Sequence, residues 1–164
     1  MIQKIKLQNQ FVTPTLNIFK YACNNPNLAK QYFGVNPNGN RALDHAESNS
    51  KALYQAGIPL IAGTDSVGAL QLNGPVITIP WGLSLHYELE NLVQIGTSPV
   101  EAINAATSEA AKWHRIFDRG SIETGKRADL LMLNSDPLHN ISNSQDIERA
   151  WVFGIETAEL TKRS

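Results

Sequence analysis

The chain has 164 residues, a formal net charge of −1, 42% apolar residues and 18% charged residues. Those proportions describe a soluble, globular chain long enough to bury a core, and they exclude a disordered one. No basic stripe occurs, which argues against nucleic acid as a partner, and no apolar run approaches the roughly 20 residues of a membrane helix. Met1–Gln10 lacks the apolar region of a signal peptide. Cys23 is the single cysteine, which rules out an internal disulfide framework and a Cys-rich zinc site. A reducing compartment is compatible with this usage, and the cytoplasm is the expected location.

In chain order, Ile2, Ile5 and Leu7 suggest the end of an amphipathic helix. Phe11-Val12-Thr13 reads as a short strand stopped by Pro14. Asn24–Asn40 is rich in Asn, Pro and Gly and reads as an exposed loop. Arg41–Ala56 reads as a helix with Gly57 just past its end. Ile58-Pro59-Leu60-Ile61-Ala62 is fully apolar, as suits a parallel strand buried on both faces, and it ends at Gly63-Thr64-Asp65-Ser66. Val67–Pro80 is a second Gly- and Pro-containing connection. Leu85, Leu89, Leu92 and Val93 form a helical stripe closed by Gly96. Ser98-Pro99-Val100-Glu101 predicts an N-cap, a proline at the first helical position and a capping box. Thr107 is placed to cap a further short helix reaching Trp113. Beyond Phe117 the texture becomes β-like: a turn at Thr124-Gly125-Lys126, a strand at Leu130–Leu133, a turn at Asn134–Pro137 and a strand over Ala150–Ile155. The coarse architecture is an α/β layer followed by a small β-rich layer.

Asp65 is the first candidate for chemistry. A carboxylate just past the C-terminal end of a buried parallel strand stands where α/β folds place their active sites. It can bind a divalent metal, or take a proton from a water whose pKa the metal has lowered to roughly 7. The structural alternative is that Asp65 caps the following segment. Of the four histidines, no two are spaced to meet at one metal. His45 reads as a surface or packing residue on its helix. His86 starts its helix near a possible pocket, or is a satisfied structural histidine. His114 and His139 fall at element ends. Trp81, Trp113 and Trp151 are dispersed and read as packing residues, and Cys23 carries no nucleophile signature.

The segment Gly57-Ile58-Pro59-Leu60-Ile61-Ala62-Gly63-Thr64-Asp65-Ser66 resembles the last barrel strand of the metal-dependent amidohydrolases, in the imidazolonepropionase-like and prolidase-like branch. His86-Tyr87-Glu88-Leu89 is similar to the following helix. Ser98–Ile103, Ala105-Ala106-Thr107 and Ala110-Ala111 resemble the next segment of that family. Gly120-Ser121-Ile122, Gly125–Leu130 and Asp136-Pro137-Leu138 resemble its return into a small β-sandwich, and Val12–Leu16 its preceding barrel strand. The ordered match runs from about Phe11 to about Gly154.

The resemblance implies the last two strand-helix units of a (β/α)8 barrel followed by a small β-sandwich portion, with a division into residues 1–115 and 116–164. It implies a hydrolase acting on C–N bonds of amides, cyclic amides or dipeptides. Its cofactor would be a divalent metal, often zinc, with Asp65 as metal ligand and water activator. Thr15, Thr64, Ser66 and His86 are the candidate substrate contacts for a small molecule. The family's His-x-His pair and its other ligands, which come from earlier strands, are not found here. One carboxylate is too few for zinc, which takes three or four protein ligands. The chain alone is therefore expected to be inactive, and to need the missing N-terminal barrel portion or to self-associate. One subunit of a split enzyme, or a non-catalytic binding or assembly module, are the alternatives.

Overall fold

The computed structural model of the protein describes residues 2–24, 40–66 and 78–157. Residues 25–39 of the predicted Asn24–Asn40 loop and most of the Val67–Pro80 connection lie outside them, while Asn40, read as the end of that loop, begins a helix. Among the described residues the helices are α1 (Ile2–Leu7), α2 (Leu16–Cys23), α3 (Asn40–Gln55), α4 (Leu83–Gln94), α5 (Pro99–Ala106) and α6 (Ser108–Trp113). An antiparallel sheet follows, in the order β1 (Leu130–Leu133), β2 (Ile147–Val152), β3 (Ile155–Glu156), with a 3-10 turn at Ile141–Gln145 before β2.

Helix α3 ends where Gly57 takes φ 74. The Gly57 amide donates to the Tyr54 carbonyl at 2.8 Å and the Ile58 amide to the Leu53 carbonyl at 3.0 Å, a Schellman motif that turns the chain into the next segment. Helix α4 ends in the same way, with Gly96 at φ 116, Gly96 N donating to Val93 O at 3.0 Å and Thr97 N to Leu92 O at 3.2 Å. The predicted box at α5 is present in full: Glu101 N donates to Ser98 Oγ at 3.3 Å, and Ser98 N donates to Glu101 Oε2 at 2.7 Å. Thr107 stands at the start of α6 as expected, but its side chain caps nothing there. Its hydroxyl donates back to the Ile103 carbonyl at 2.8 Å, inside the preceding helix.

The two predicted barrel strands lie side by side and parallel. Their pairing is one bridge between Val12 and Leu60: Val12 N donates to Pro59 O at 3.0 Å, and Ile61 N donates to Val12 O at 2.9 Å. The Pro14 that stops the first segment and the missing amide of Pro59 keep the ladder short. The Ala62 amide, on the strand's opposite edge, donates to the Ala105 carbonyl of α5 at 3.0 Å. Leu53, Leu60, Leu89, Leu92, Ala102 and Ile141 belong to the buried core between these segments and the helices.

In the β-rich part, β1 and β2 pair with Leu131 opposite Ala150 and a register irregularity between Met132 and Leu133. The predicted Ala150–Ile155 strand is interrupted. Phe153 and Gly154 take φ 55 and φ 76, a two-residue turn with positive φ at both positions, which folds β3 back onto β2. Residues distant in sequence hold this turn. Asp129 Oδ1 accepts the Phe153 amide at 2.9 Å, the Ala128 carbonyl accepts the Gly154 amide at 2.8 Å, and the Arg127 guanidinium lies 4.0 Å from the Phe153 ring centre. The tryptophans divide. Trp113 packs on Phe11 with ring centres 5.4 Å apart, whereas Trp81 is 76% exposed and packs little.

Candidate active site

Because the two paired segments are parallel, their C-terminal ends, Thr13–Thr15 and Gly63–Ser66, emerge side by side. Each carries a non-glycine residue in the left-handed region, Thr15 at φ 51 and Asp65 at φ 48. A β-branched residue there is disfavoured, and an aspartate is tolerated better. The two ends touch. A Cβ placed on Gly63 would overlap the Thr13 methyl and come within 3.7 Å of the Thr15 methyl. Glycine at position 63 is thus what allows the segments to approach this closely.

Asp65 is held from both sides. The Ser66 amide donates to Thr64 Oγ1 at 3.1 Å, a hydroxyl turn with Asp65 at its apex. Ser66 Oγ in turn donates to the carbonyl of the buried Ile79 at 2.9 Å. Asp65 itself is exposed. Among the described residues no hydrogen bond or ion pair occupies its carboxylate; the segment it would cap, from Val67 onward, lies outside them. Thr64 and Ser66, two of the predicted substrate contacts, thus shape the loop. Thr15 lies against the Gly63 end of it.

His86, the remaining predicted contact, has a different neighbour. Its Nδ1 lies 3.0 Å from Ser144 Oγ in the 3-10 turn, which ties α4 to the β-rich part. Burial holds the His86 imidazole below its ordinary value, with Glu90 opposing. His45, His114 and His139 are exposed. Among the described residues no three His, Cys, Asp or Glu side chains are grouped to hold a metal ion. The described residues therefore do not form a metal site by themselves, and Asp65 is the one candidate ligand at the paired strand ends.

One residue escaped the sequence reasoning. Glu88 of α4 is fully buried, and its two oxygens accept the Leu16 and Asn17 amides at 3.0 and 2.7 Å. Its signal was present, since it falls on the apolar stripe of Leu85, Leu89 and Leu92, where a carboxylate is out of place.

The parallel strand pair with its terminal aspartate, followed by helices and a small sheet, matches one class of enzyme fold. The profile of the amidohydrolase family fits residues 2–157, and the chain belongs to that family. Among curated proteins it is similar to the 5-methylthioadenosine/S-adenosylhomocysteine deaminase of Shouchella clausii (strain KSM-K16), at 29% identity over 126 residues, 77% of this chain and 29% of the deaminase. The deaminase of the same description from Halalkalibacterium halodurans is 31% identical over 126 residues, 76% of this chain and 28% of that protein. Among solved structures, a Xaa-Pro dipeptidase with bound methionine in the active site superposes with a TM-score of 0.72 at 22% identity, over 95% of this chain and 36% of that one. The ochratoxinase of A. niger superposes with a TM-score of 0.71 at 22% identity, over 94% and 33%. The fold is thus of the α/β, TIM-barrel type. The chain spans less than a third of the length of these deaminases and about a third of the solved enzymes.

Proposed function

We propose that the chain supplies the closing strand-helix units of a (β/α)8 amidohydrolase barrel, and that Asp65 is its contribution to a site that hydrolyses C–N bonds. The observation that carries this reading is the Asp65 carboxylate itself, unengaged among the described residues and fixed at the C-terminal end of a parallel strand by Thr64 and Ser66. Deaminases and dipeptidases both break a C–N bond with water, and this shared step is the chemistry assigned here. A divalent ion, zinc in the resemblance, would supply Lewis acidity toward the bond and toward water. The other ligands would come from outside the described residues. Asp65 would hold one face of that site and accept a proton there, with Thr15 the best placed of the four substrate candidates, before Thr64, Ser66 and His86.

Two surfaces support completion by further polypeptide, whether the N-terminal barrel portion or another copy. A groove of about 340 Å³ runs along Ile58, Pro59 and Leu60 on the side of Leu92 and Thr97. On and beside the small sheet, Leu131, Val152, Phe153 and Ile155 remain 48–73% exposed. The exposed apolar side chains of the small sheet are of the kind that favours contact with further polypeptide.

Zinc titration by calorimetry, with a panel of dipeptide, cyclic-amide and aminopurine substrates, tests the reading. The chain alone is expected to bind zinc weakly and to turn nothing over. Together with a polypeptide carrying the His-x-His strand, it is expected to gain zinc binding and activity that Asp65→Asn abolishes. Tight stoichiometric zinc with turnover by the chain alone, or full activity of the Asp65→Asn assembly, would refute it.

A further inference from the structure

We propose that Glu88 is a positioning residue for Asp65, acting through the first turn of α2 and the Thr13–Thr15 segment; the inference rests on the role given to Asp65 above. Glu88 has no exposed surface. A carboxylate removed from water is tolerated only when its oxygens are occupied. Both are, by the Leu16 amide at 3.0 Å and the Asn17 amide at 2.7 Å. These are the first two amides of α2, which have no carbonyl partner within the helix. The N-cap residue, Thr15, makes no side-chain cap. The cap comes instead from α4, across 72 and 71 residues of chain. The match is electrostatic as well as geometric, since a helix N-terminus carries the positive end of the helix dipole. Lys20, one turn further along α2, adds a positive charge that also favours the ionised Glu88.

The consequence runs along the chain. Anchoring Leu16 and Asn17 to α4 fixes the start of α2. That fixes the left-handed turn at Thr15 and, through Pro14, the place of Thr13. The Thr13 methyl lies where a Cβ of residue 63 would be, so Gly63 follows Thr13 closely. Gly63 leads directly into the Thr64 turn that holds Asp65. A residue that only stabilised the fold would affect Asp65 no more than another buried residue of α4 does, and Leu92, also without exposed surface, provides that comparison.

The test is heteronuclear NMR of the 164-residue chain. In the unmodified protein, hydrogen-bond couplings from the Leu16 and Asn17 nitrogens to Glu88 Cδ are expected. In Glu88→Gln, which keeps the length but presents a donor to one amide, that amide is expected to exchange roughly tenfold or more faster, the loss of one bond to a charged group. The resonances of Gly63, Thr64 and Asp65 are expected to move with it. Leu92→Ala is expected to lower stability while leaving those three resonances in place. Glu88→Asp keeps the charge but withdraws it by one methylene. It is expected to disturb the same two stretches, and it serves where the glutamine variant does not fold. Unmoved Gly63–Asp65 resonances in the Glu88 variants, or equal movement in Leu92→Ala, would overturn the proposal. No readout involves zinc or turnover, so failure here leaves the hydrolase reading standing, and failure of that reading leaves these couplings and shifts unchanged.

Discussion

Glu88 Oε2 accepts the Asn17 amide at 2.7 Å, joining two buried residues on different helices. Burial pushes the Glu88 carboxyl above its ordinary value, against the pull of the Asn17 and Leu16 amides. The folded protein therefore binds this proton more tightly than the unfolded chain. The stability linked to it is fully present below the unfolded carboxyl pKa of about 4.3 and is lost as pH rises through the raised folded value. Urea denaturation over this range should show the protein losing stability relative to Glu88→Gln as pH increases. A difference that stays constant with pH would contradict the expectation.

The contact between Thr13 and Gly63 predicts a suppressor pair. Gly63→Ala forces a methyl onto Thr13 Cγ2 and should destabilise by about 1–3 kcal/mol, the usual range for overpacking. Thr13→Ser removes that methyl and keeps the hydroxyl. The double variant should recover more than half of the loss in thermal or chemical denaturation, and simple additivity of the two changes would refute the contact.

The Ser98–Glu101 box should contribute measurably although it is exposed. Ser98→Ala is expected to lower stability by about 1 kcal/mol. The Ser98 hydroxyl, then its amide, and the Tyr54 hydroxyl hold the Glu101 carboxyl below its ordinary value. With a depressed folded value, the stabilisation is present above the unfolded carboxyl pKa and fades as pH falls through the folded one. The melting-temperature gap between the protein and Glu101→Gln should narrow on acidification, and a gap that widens would reverse the assignment.

Arg115 closes α6 in the position that Asn9, Gly57 and Gly96 occupy at the ends of α1, α3 and α4, with φ 59 and its amide donating to the Lys112 carbonyl at 3.1 Å. An L-residue with a long side chain is strained there. Arg115→Gly should therefore raise stability by about 0.5–1 kcal/mol, a few degrees in melting temperature. A loss of stability would mean that the Arg115 side chain makes contacts worth more than the strain.

The features legible in the sequence are those whose determinants are local. Ser98, Pro99 and Glu101 specify their helix start within four residues, and Gly57 and Gly96 mark helix ends through their own backbone freedom. Asp65 could be placed because an apolar run ending in Gly-Thr-Asp is itself a local pattern. What was not anticipated depends on distant partners. Helix α2 lacks a side-chain cap of its own and takes one from Glu88. The Phe153–Gly154 turn requires Asp129 and Arg127, more than twenty residues earlier, to hold a phenylalanine at positive φ. The same limit holds at the candidate site: the place of Asp65 at a strand end is legible, whereas the hold of Glu88 on the Leu16 and Asn17 amides is not.

The groups seen to shape the Asp65 turn, the Thr64 hydroxyl, the tie from Ser66 to Ile79 and the Thr13 methyl against Gly63, all belong to this one chain. The entropy lost in ordering that turn is therefore lost when the chain folds. In the role proposed for Asp65, a ligand meets a carboxylate whose backbone these groups already hold, and preorganisation of that kind raises affinity without adding any contact.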